Sequence, residues 1–255
     1  MSLTLGFSPC PNDTFIFDAW VNGRLADVPT CETALADVET LNEWSAEQKL
    51  DVTKLSFPAL FRQLNTYRLL RAGSALGIGV VPLLIAREPI DPNDASISEK
   101  RIVLPGRTTT ANLLFSFAYP QAKNKSYQVF SEIEDAVLEG RADLGVIIHE
   151  NRFTYQQRGL HCVMDLGAHW EKQTNCAVPL GCIAIKRSLG ESMAEQIDRT
   201  IQQSLQYGWD RLPELSDYVR EHAQTMEESV MRQHIDLYVN KHTRQLEETD
   251  INAIR

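Results

Sequence analysis

Along the chain, short apolar runs alternate with longer stretches in which apolar positions recur every three or four residues. The first pattern predicts buried strands and the second predicts amphipathic helices. Leu3 to Phe7 reads as a strand, and the turn Ser8-Pro9-Cys10-Pro11-Asn12-Asp13 that follows is rich in prolines and helix-capping residues. Phe15 to Val21 predicts a helix with Ile16, Ala19 and Trp20 on one face and Gly23 as its stop. Asp37 to Gln48 predicts a second, with Val38, Leu41 and Trp44 along one side. Asp51 to Leu55 is the next strand, and Ser56-Phe57-Pro58 restarts a helix with proline in its first turn. Tyr67 to Arg71 and Val80 to Ala86 read as further strands, joined by the glycine-rich connection Gly73 to Gly79.

The middle of the chain repeats the theme. Arg101 to Leu104 is a strand, Pro105 to Thr109 a turn, and Thr110 to Ala118 a helix with Leu113, Leu114, Phe117 and Ala118 as its apolar face. Tyr127 to Phe130 reads as a strand, and Ser131-Glu132-Ile133-Glu134 has the pattern of a capping box opening a helix that ends near Gly140. Leu144 to Ile148 is a wholly apolar strand that delivers His149, and Leu180 to Ile185 is one more strand. The last third is helical: Met193, Ile197, Ile201 and Leu205 recur at a spacing of four, and Val230, Met231, His234, Ile235 and Tyr238 form another stripe. His222 and His234 read as structural or surface groups on those helices.

Strand–helix alternation predicts parallel-rich sheets flanked by helices. Two such blocks occur, and the terminal helices have no strands of their own to cover. The expectation is an α/β chain of two lobes joined by two crossovers, with a cleft between them. Residues 1–86 and 187–255 would form the first lobe and 87–186 the second.

Composition narrows the partners. The 255 residues are 43% hydrophobic and carry a formal net charge of −9 without a dense Lys/Arg cluster, which argues against nucleic acid. The start of the numbered chain has no basic, apolar leader pattern, and the longest apolar run, around Gly77 to Ala86, is too short to span a bilayer. A cytoplasmic protein without a membrane partner is expected. Cys10, Cys31, Cys162, Cys176 and Cys182 form no C-x-x-C pair, so reduced thiols are expected rather than a disulfide framework or zinc site. Cys10 precedes a helix, where a thiol can be activated, or it is a small buried residue in a tight turn.

Three segments could build a site. His149 stands at the carboxyl end of a buried strand, where open α/β folds place ligands, and histidine titrates nearest neutrality. It could move a proton on a small molecule, or serve as a hydrogen-bonded structural group. Glu150 alternates away from it along an extended chain and is not automatically its partner. Arg152 and Tyr155 could contact ligand or simply pack. Lys54-Leu55-Ser56 and the turn from Gly106 to Ala111 both stand at a strand end before a helix, so backbone N–H groups and small hydroxyls there could hold an anion. Lys54 would add a positive charge, unless it is a surface lysine. Thr109 and Thr110 could also cap their helix, and Ser8, Asn12 and Asp13 could offer hydrogen bonds or cap theirs. No dinucleotide fingerprint, P-loop or nucleophile elbow is present.

Together these segments resemble one family. Ser8-Pro9-Cys10-Pro11-Asn12-Asp13-Thr14-Phe15, Asp37-Val38-Glu39-Thr40-Leu41-Asn42, Thr53-Lys54-Leu55-Ser56, Thr109-Thr110-Ala111 and Ile148-His149-Glu150-Asn151-Arg152-Phe153-Thr154-Tyr155 are similar, in this order, to the 1,4-dihydroxy-6-naphthoate synthases of the futalosine route to menaquinone. Asp165-Leu166-Gly167 and Trp170-Glu171 extend the likeness. Val81 departs from it, standing where the resemblance leads one to expect the last glycine of a Gly-x-Gly-x-Gly stretch.

The resemblance implies a two-lobed, type II periplasmic-binding-protein-like fold with a central cleft. It implies a carbon–carbon lyase that turns cyclic dehypoxanthinylfutalosine, a small-molecule carboxylate, into 1,4-dihydroxy-6-naphthoate with release of a three-carbon fragment. No metal or organic cofactor is implied. His149 matches the proton acceptor; Lys54, Leu55, Ser56, Thr110 and Ala111 match substrate-binding positions, and Thr109, Ser8, Asn12 and Arg152 are further candidates beside them. Two alternatives stand: the chorismate dehydratase of the same pathway, which lacks the His149 to Tyr155 pattern, and a non-catalytic carboxylate-binding protein. The oligomeric state is not fixed by these patterns.

Overall fold

The computed structural model describes residues 2–77, 82–223 and 227–254, with the side chains of residues 149, 150 and 253 outside the description. The strands are β1 (Leu3–Phe7), β2 (Cys31–Leu35), β3 (Val52–Ser56), β4 (Tyr67–Leu69), β5 (Ala75–Gly77), β6 (Leu83–Ala86), β7 (Ile102–Leu104), β8 (Lys125–Tyr127), β9 (Leu144–Ile147), β10 (His161–Asp165) and β11 (Val178–Lys186). The helices are α1 (Pro11–Val21), α2 (Val38–Ala46), α3 (Phe57–Phe61), α4 (Thr110–Ala118), α5 (Ile133–Leu138), α6 (Leu166–Thr174), α7 (Gly190–Trp209), α8 (Asp217–His222), α9 (Glu228–Tyr238), α10 (Lys241–Arg244) and α11 (Glu248–Ile254). Among the described residues no helix is long and apolar enough to cross a membrane.

Two compact units result, one from Met1–Leu76 with Pro179–Arg255 and one from Gly77–Val178. The first holds a sheet of order β2-β1-β3-β11-β4, with β5 also paired to β11. β1 runs parallel to β2 and β3, whereas β11 is antiparallel to β3 and β4. The second holds a sheet of order β10-β6-β9-β7-β8. β7 is parallel to β8 and β9, and β6 is antiparallel to β9 and β10. Both sheets are therefore mixed rather than parallel throughout. Strand pairing puts β6 in the second sheet and β11 in the first, so the boundaries lie near 76 and 178 instead of 86 and 186.

The first unit's core joins β1 (Leu3, Leu5, Phe7), α1 (Phe15, Ile16, Phe17, Trp20), α7 (Ile197, Ile201, Leu205) and α9 (Met231, Ile235). The stripe at a spacing of four on α7 is the face it buries, so the terminal helices pack on the first block. In the second unit, α5 lies on β9 at Gly145, where a Cβ would come 2.7 Å from Ile133 Cγ2 and 2.8 Å from Val137 Cγ2. Glycine is required there by close approach, not by backbone angle.

Local differences have local causes. β2, β5 and β10 lack the apolar runs that mark buried strands: β2 and β10 are edge strands with polar residues, and β5 is three residues ending in glycine. β8 is Lys125–Tyr127, and Phe130 starts a 3-10 turn; its side chain is buried as the anchor of that turn rather than as part of a strand. The capping box expected at Ser131 does not form. α5 starts at Ile133, and the buried Glu134 carboxylate accepts from Arg158 Nη1 at 2.7 Å instead of folding back on the helix start. Val80 and Val81 at the start of the predicted fifth strand, and Ile78-Gly79 of the glycine-rich connection, lie outside the described residues.

Two predictions follow from this packing. Gly145→Ala should destabilise by about 1–3 kcal/mol through overpacking against α5, read as a lower midpoint in urea unfolding. Asp143 links the entries of β7 and β9: the Arg101 backbone N–H donates to its Oδ2 at 2.8 Å and Arg101 Nη2 to its Oδ1 at 2.6 Å. The Arg101 guanidinium, first among the causes, holds the Asp143 carboxyl down at about 2. A lowered folded pKa stabilises above the unfolded value and is lost as pH falls through the folded one. Asp143→Asn should therefore melt below the wild type at pH 7, by about 1 kcal/mol or less for a partly exposed pair. That gap should close as the pH drops from about 4 toward 2.

Candidate functional site

In the first unit a buried polar cluster forms where β1 and β3, running parallel, end on the same edge of the sheet. Ser8 follows β1 directly, Asn12 and Asp13 occupy the first turn of α1, and Lys54 lies on β3 opposite Ile183 of β11. Asp13 is the hub. Its Oδ1 accepts from Lys54 Nζ at 2.6 Å and from Asn12 Nδ2 at 2.7 Å; its Oδ2 accepts from Ser8 Oγ at 2.7 Å and the Ser8 N–H at 3.2 Å. Lys54 is 7% exposed and Asp13 is 1% exposed. Lys54 is thus not a surface lysine, and its charge is matched by a carboxylate in direct contact.

Next along the strand, Leu55 is fully buried, and Ser56 ends it. The Ser56 N–H donates to Asn42 Oδ1 at 3.0 Å, and Asn42 Nδ2 donates to Ser56 Oγ at 3.3 Å. The expectation of a free backbone N–H at Ser56 is corrected by this contact: α2 supplies the acceptor, with Asp37 as its N-cap through Glu39 and Thr40 N–H groups. What Ser56 keeps to offer is its hydroxyl proton. Beside Leu55 in register, Cys182 is pushed up to about 12 by burial, which leaves it an inert thiol. Cys10 is the buried N-cap residue of α1.

In the second unit, Thr109, Thr110 and Ala111 are consecutive and buried at the start of α4. Thr109 is the N-cap: its hydroxyl donates to Gly106 O at 2.9 Å and accepts from the Asn112 N–H at 3.3 Å. Its proton is committed to the turn. Thr110 and Ala111 occupy the first turn of α4. On β9 the buried run ends at Ile147, Ile148 is extended, and the backbone of His149 opens a 3-10 turn to Phe153. The side chains of His149 and Glu150 lie outside the described residues. Arg152 sits in the same turn with its guanidinium 6.0 Å from the centre of the Phe153 ring. Tyr155 is buried, and its hydroxyl accepts from Gln156 Nε2 at 3.1 Å. Among the described residues no group of three or more His, Cys, Asp or Glu side chains is placed to hold a metal ion.

Comparison with known proteins places these clusters in context. A family model described as "Menaquinone biosynthesis" matches residues 3–255. The chain belongs to this menaquinone-biosynthesis family. A Thermus thermophilus relative named 1,4-dihydroxy-6-naphtoate synthase is 44% identical over 239 residues, covering 94% of this chain and 86% of that protein. A Streptomyces coelicolor relative of the same name is 40% identical over 259 residues, covering 100% and 90%. The crystal structure of an Archaeoglobus fulgidus protein superposes with a TM-score of 0.92 at 31% identity, covering 99% of this chain and 94% of that one. A Candida albicans gene product described as having the generic periplasmic-binding-protein fold matches at a TM-score of 0.67 and 11% identity, over 100% and 89% of the two chains. The fold is accordingly α/β and periplasmic-binding-protein-like, with two sheets.

Several motif residues of this menaquinone-biosynthesis family member turn out to be scaffolding. Asp37 and Asp165 cap α2 and α6, and Trp170 packs its ring 5.0 Å from that of Phe117. Three roles in the first-unit cluster are not visible in the sequence pattern: Asp13, there a hydrogen-bonding or capping residue, is the hub; Asn42 is the partner of Ser56; and His234, there a structural or surface group, joins the cluster. His234 is fully buried, and its Nε2 lies 2.8 Å from Asn12 Oδ1. Its signal in the sequence was a polar residue inside the apolar stripe of α9. Because Lys54 is buried, Asp13→Ala would strand its charge, so the variant should lose about 3–5 kcal/mol of stability. Adding Lys54→Met to Asp13→Leu should recover most of that loss in a denaturation series.

Proposed function

We propose that this chain is a 1,4-dihydroxy-6-naphthoate synthase, a carbon–carbon lyase acting on cyclic dehypoxanthinylfutalosine. Near-full-length identity to two curated relatives of that name carries the reading. The backbone supports it: a buried strand stops, and His149 opens the turn at its carboxyl end, where α/β proteins present groups to ligands.

In this reading neutral His149 takes a proton from a carbon next to a carbonyl, and the C–H electron pair enters an enolate. Helix-start N–H groups and the hydroxyl of Ser56 or of Thr110 stabilise the developing oxyanion. Carbon–carbon cleavage then releases the three-carbon fragment, and formation of the aromatic ring draws the reaction forward. Lys54 and Arg152 bind the substrate's anionic and polar groups. The proposed reaction calls for no metal or organic cofactor from the protein, and it is assigned to the cytoplasm.

Purified protein should convert the cyclic substrate and leave chorismate unchanged; dehydration of chorismate, or tight binding without product, would replace this reading with one of its alternatives. A positioned base contributes ~10²–10⁴-fold, or ~3–5 kcal/mol of barrier. His149→Asn should therefore lower kcat by roughly that factor while leaving substrate binding largely intact. Turnover at the wild-type rate would remove His149 from the role of base.

A further inference from the structure

The polar cluster of the first unit does not end at Asp13. It continues through Asn12 to His234 on α9, 222 positions along the chain, and every member is buried. A carboxylate only accepts, so the Asn12 group 2.7 Å from Asp13 Oδ1 is the amide NH₂. That turns the Asn12 carbonyl oxygen toward His234, and a carbonyl also only accepts. His234 Nε2 therefore carries a proton and donates to Asn12 Oδ1 at 2.8 Å.

The chain of donors runs one way: His234 Nε2–H to Asn12 oxygen, Asn12 N–H to Asp13 Oδ1, with Lys54 Nζ donating to that same oxygen. Asp13 Oδ1 is thus held from two sides, and Ser8 holds Oδ2. Removing the His234 proton would free the Asn12 amide to rotate. Lys54 would then be left as the one donor fixing Oδ1, and the position of its ammonium would loosen.

We propose that His234 and Asn12 are positioning residues that fix the Lys54 ammonium for substrate. The inference rests on the functional reading above in one respect: Lys54 is taken to meet the substrate. A group that binds substrate and transition state alike acts on KM more than on kcat. A loose Lys54 should therefore raise KM for the cyclic substrate by about 10-fold, with kcat changed by less than about 3-fold.

The test is steady-state kinetics on the full-length protein with His234→Leu, His234→Gln and Asn12→Leu. Glutamine can return a donor near the position of Nε2 and leucine cannot. The expected result is a raised KM in His234→Leu and Asn12→Leu, restored to within about 3-fold of wild type in His234→Gln. Unchanged KM in the folded leucine variants would overturn the proposal, and so would equal loss in His234→Gln and His234→Leu, which would make the residue a packing element. Where His234→Leu does not fold, His234→Gln keeps the kinetic test, and the Lys54–Asp13 distance in a crystal structure of Asn12→Leu decides the positioning claim, because Asn12 is itself a substrate-binding candidate. Should the wild type fail to convert the cyclic substrate, the functional reading falls, and crystal structures decide the positioning claim alone. Movement of Lys54 Nζ away from Asp13 Oδ1 by roughly 1 Å in Asn12→Leu supports it, and an undisturbed pair overturns it.

Discussion

A lysine ammonium in the middle of a sheet is tolerable only beside a carboxylate, and Lys54 with Asp13 sets the terms for the first unit. Unpaired, a buried charge costs several kcal/mol. The turn after β1 must therefore bring the first turn of α1 back over β3. Pro9 and Pro11 stiffen that turn, and Ser8 ties it down by giving Asp13 both its N–H and its hydroxyl. Asp13 is also well placed for helix electrostatics, since a negative charge in the first turn is favourable. The opposite strand makes room for the lysine stem: a Cβ at Gly181 would come 3.0 Å from Lys54 Cε. One ion pair thus links a turn, a helix start and a glycine on a strand more than a hundred residues away.

The pairing also changes how an anionic ligand would be held. The chain carries a formal net charge of −9, and Lys54 already has its countercharge. Attraction by net positive potential is therefore a poor account of binding in this unit. Under the proposed function, recognition in this unit comes from directed donors: the remaining ammonium protons of Lys54 and the Ser56 hydroxyl. Directed donors discriminate by geometry, which suits a substrate that must be aligned with a base.

Much of this is legible in the sequence. β1 and the stripe of α7 follow from apolar periodicity, because there the burial pattern and the sequence pattern are the same thing; α4 has the expected ends but not the expected face, since Leu114 and Phe115 are buried while Phe117 is exposed. The edge strands β2 and β10 were illegible for the opposite reason: backbone pairing holds them, and pairing leaves little trace in side-chain polarity. Lys54 illustrates the same divide at the site. Its place at a strand end drew attention, but its burial depends on Asp13, 41 positions earlier. His234 looks like a structural or surface group in the sequence, because one histidine on an apolar stripe does not reveal the contact of its imidazole with Asn12. Asp37 and Asp165, both within family-like segments, cap α2 and α6.

The discontinuity of the first unit bears on how the chain is made. β4 and β5 find their partner in β11, which begins at Val178, so the first sheet stays open until the ribosome has passed that point. Gly77 to Val178 is one uninterrupted stretch and contains all five strands of its own sheet. Synthesis therefore completes the parts of the inner unit first, reversing the usual order in which the amino-terminal domain is finished before the rest. The nascent amino-terminal segment must meanwhile keep β3, with its lysine, beside a vacant strand position.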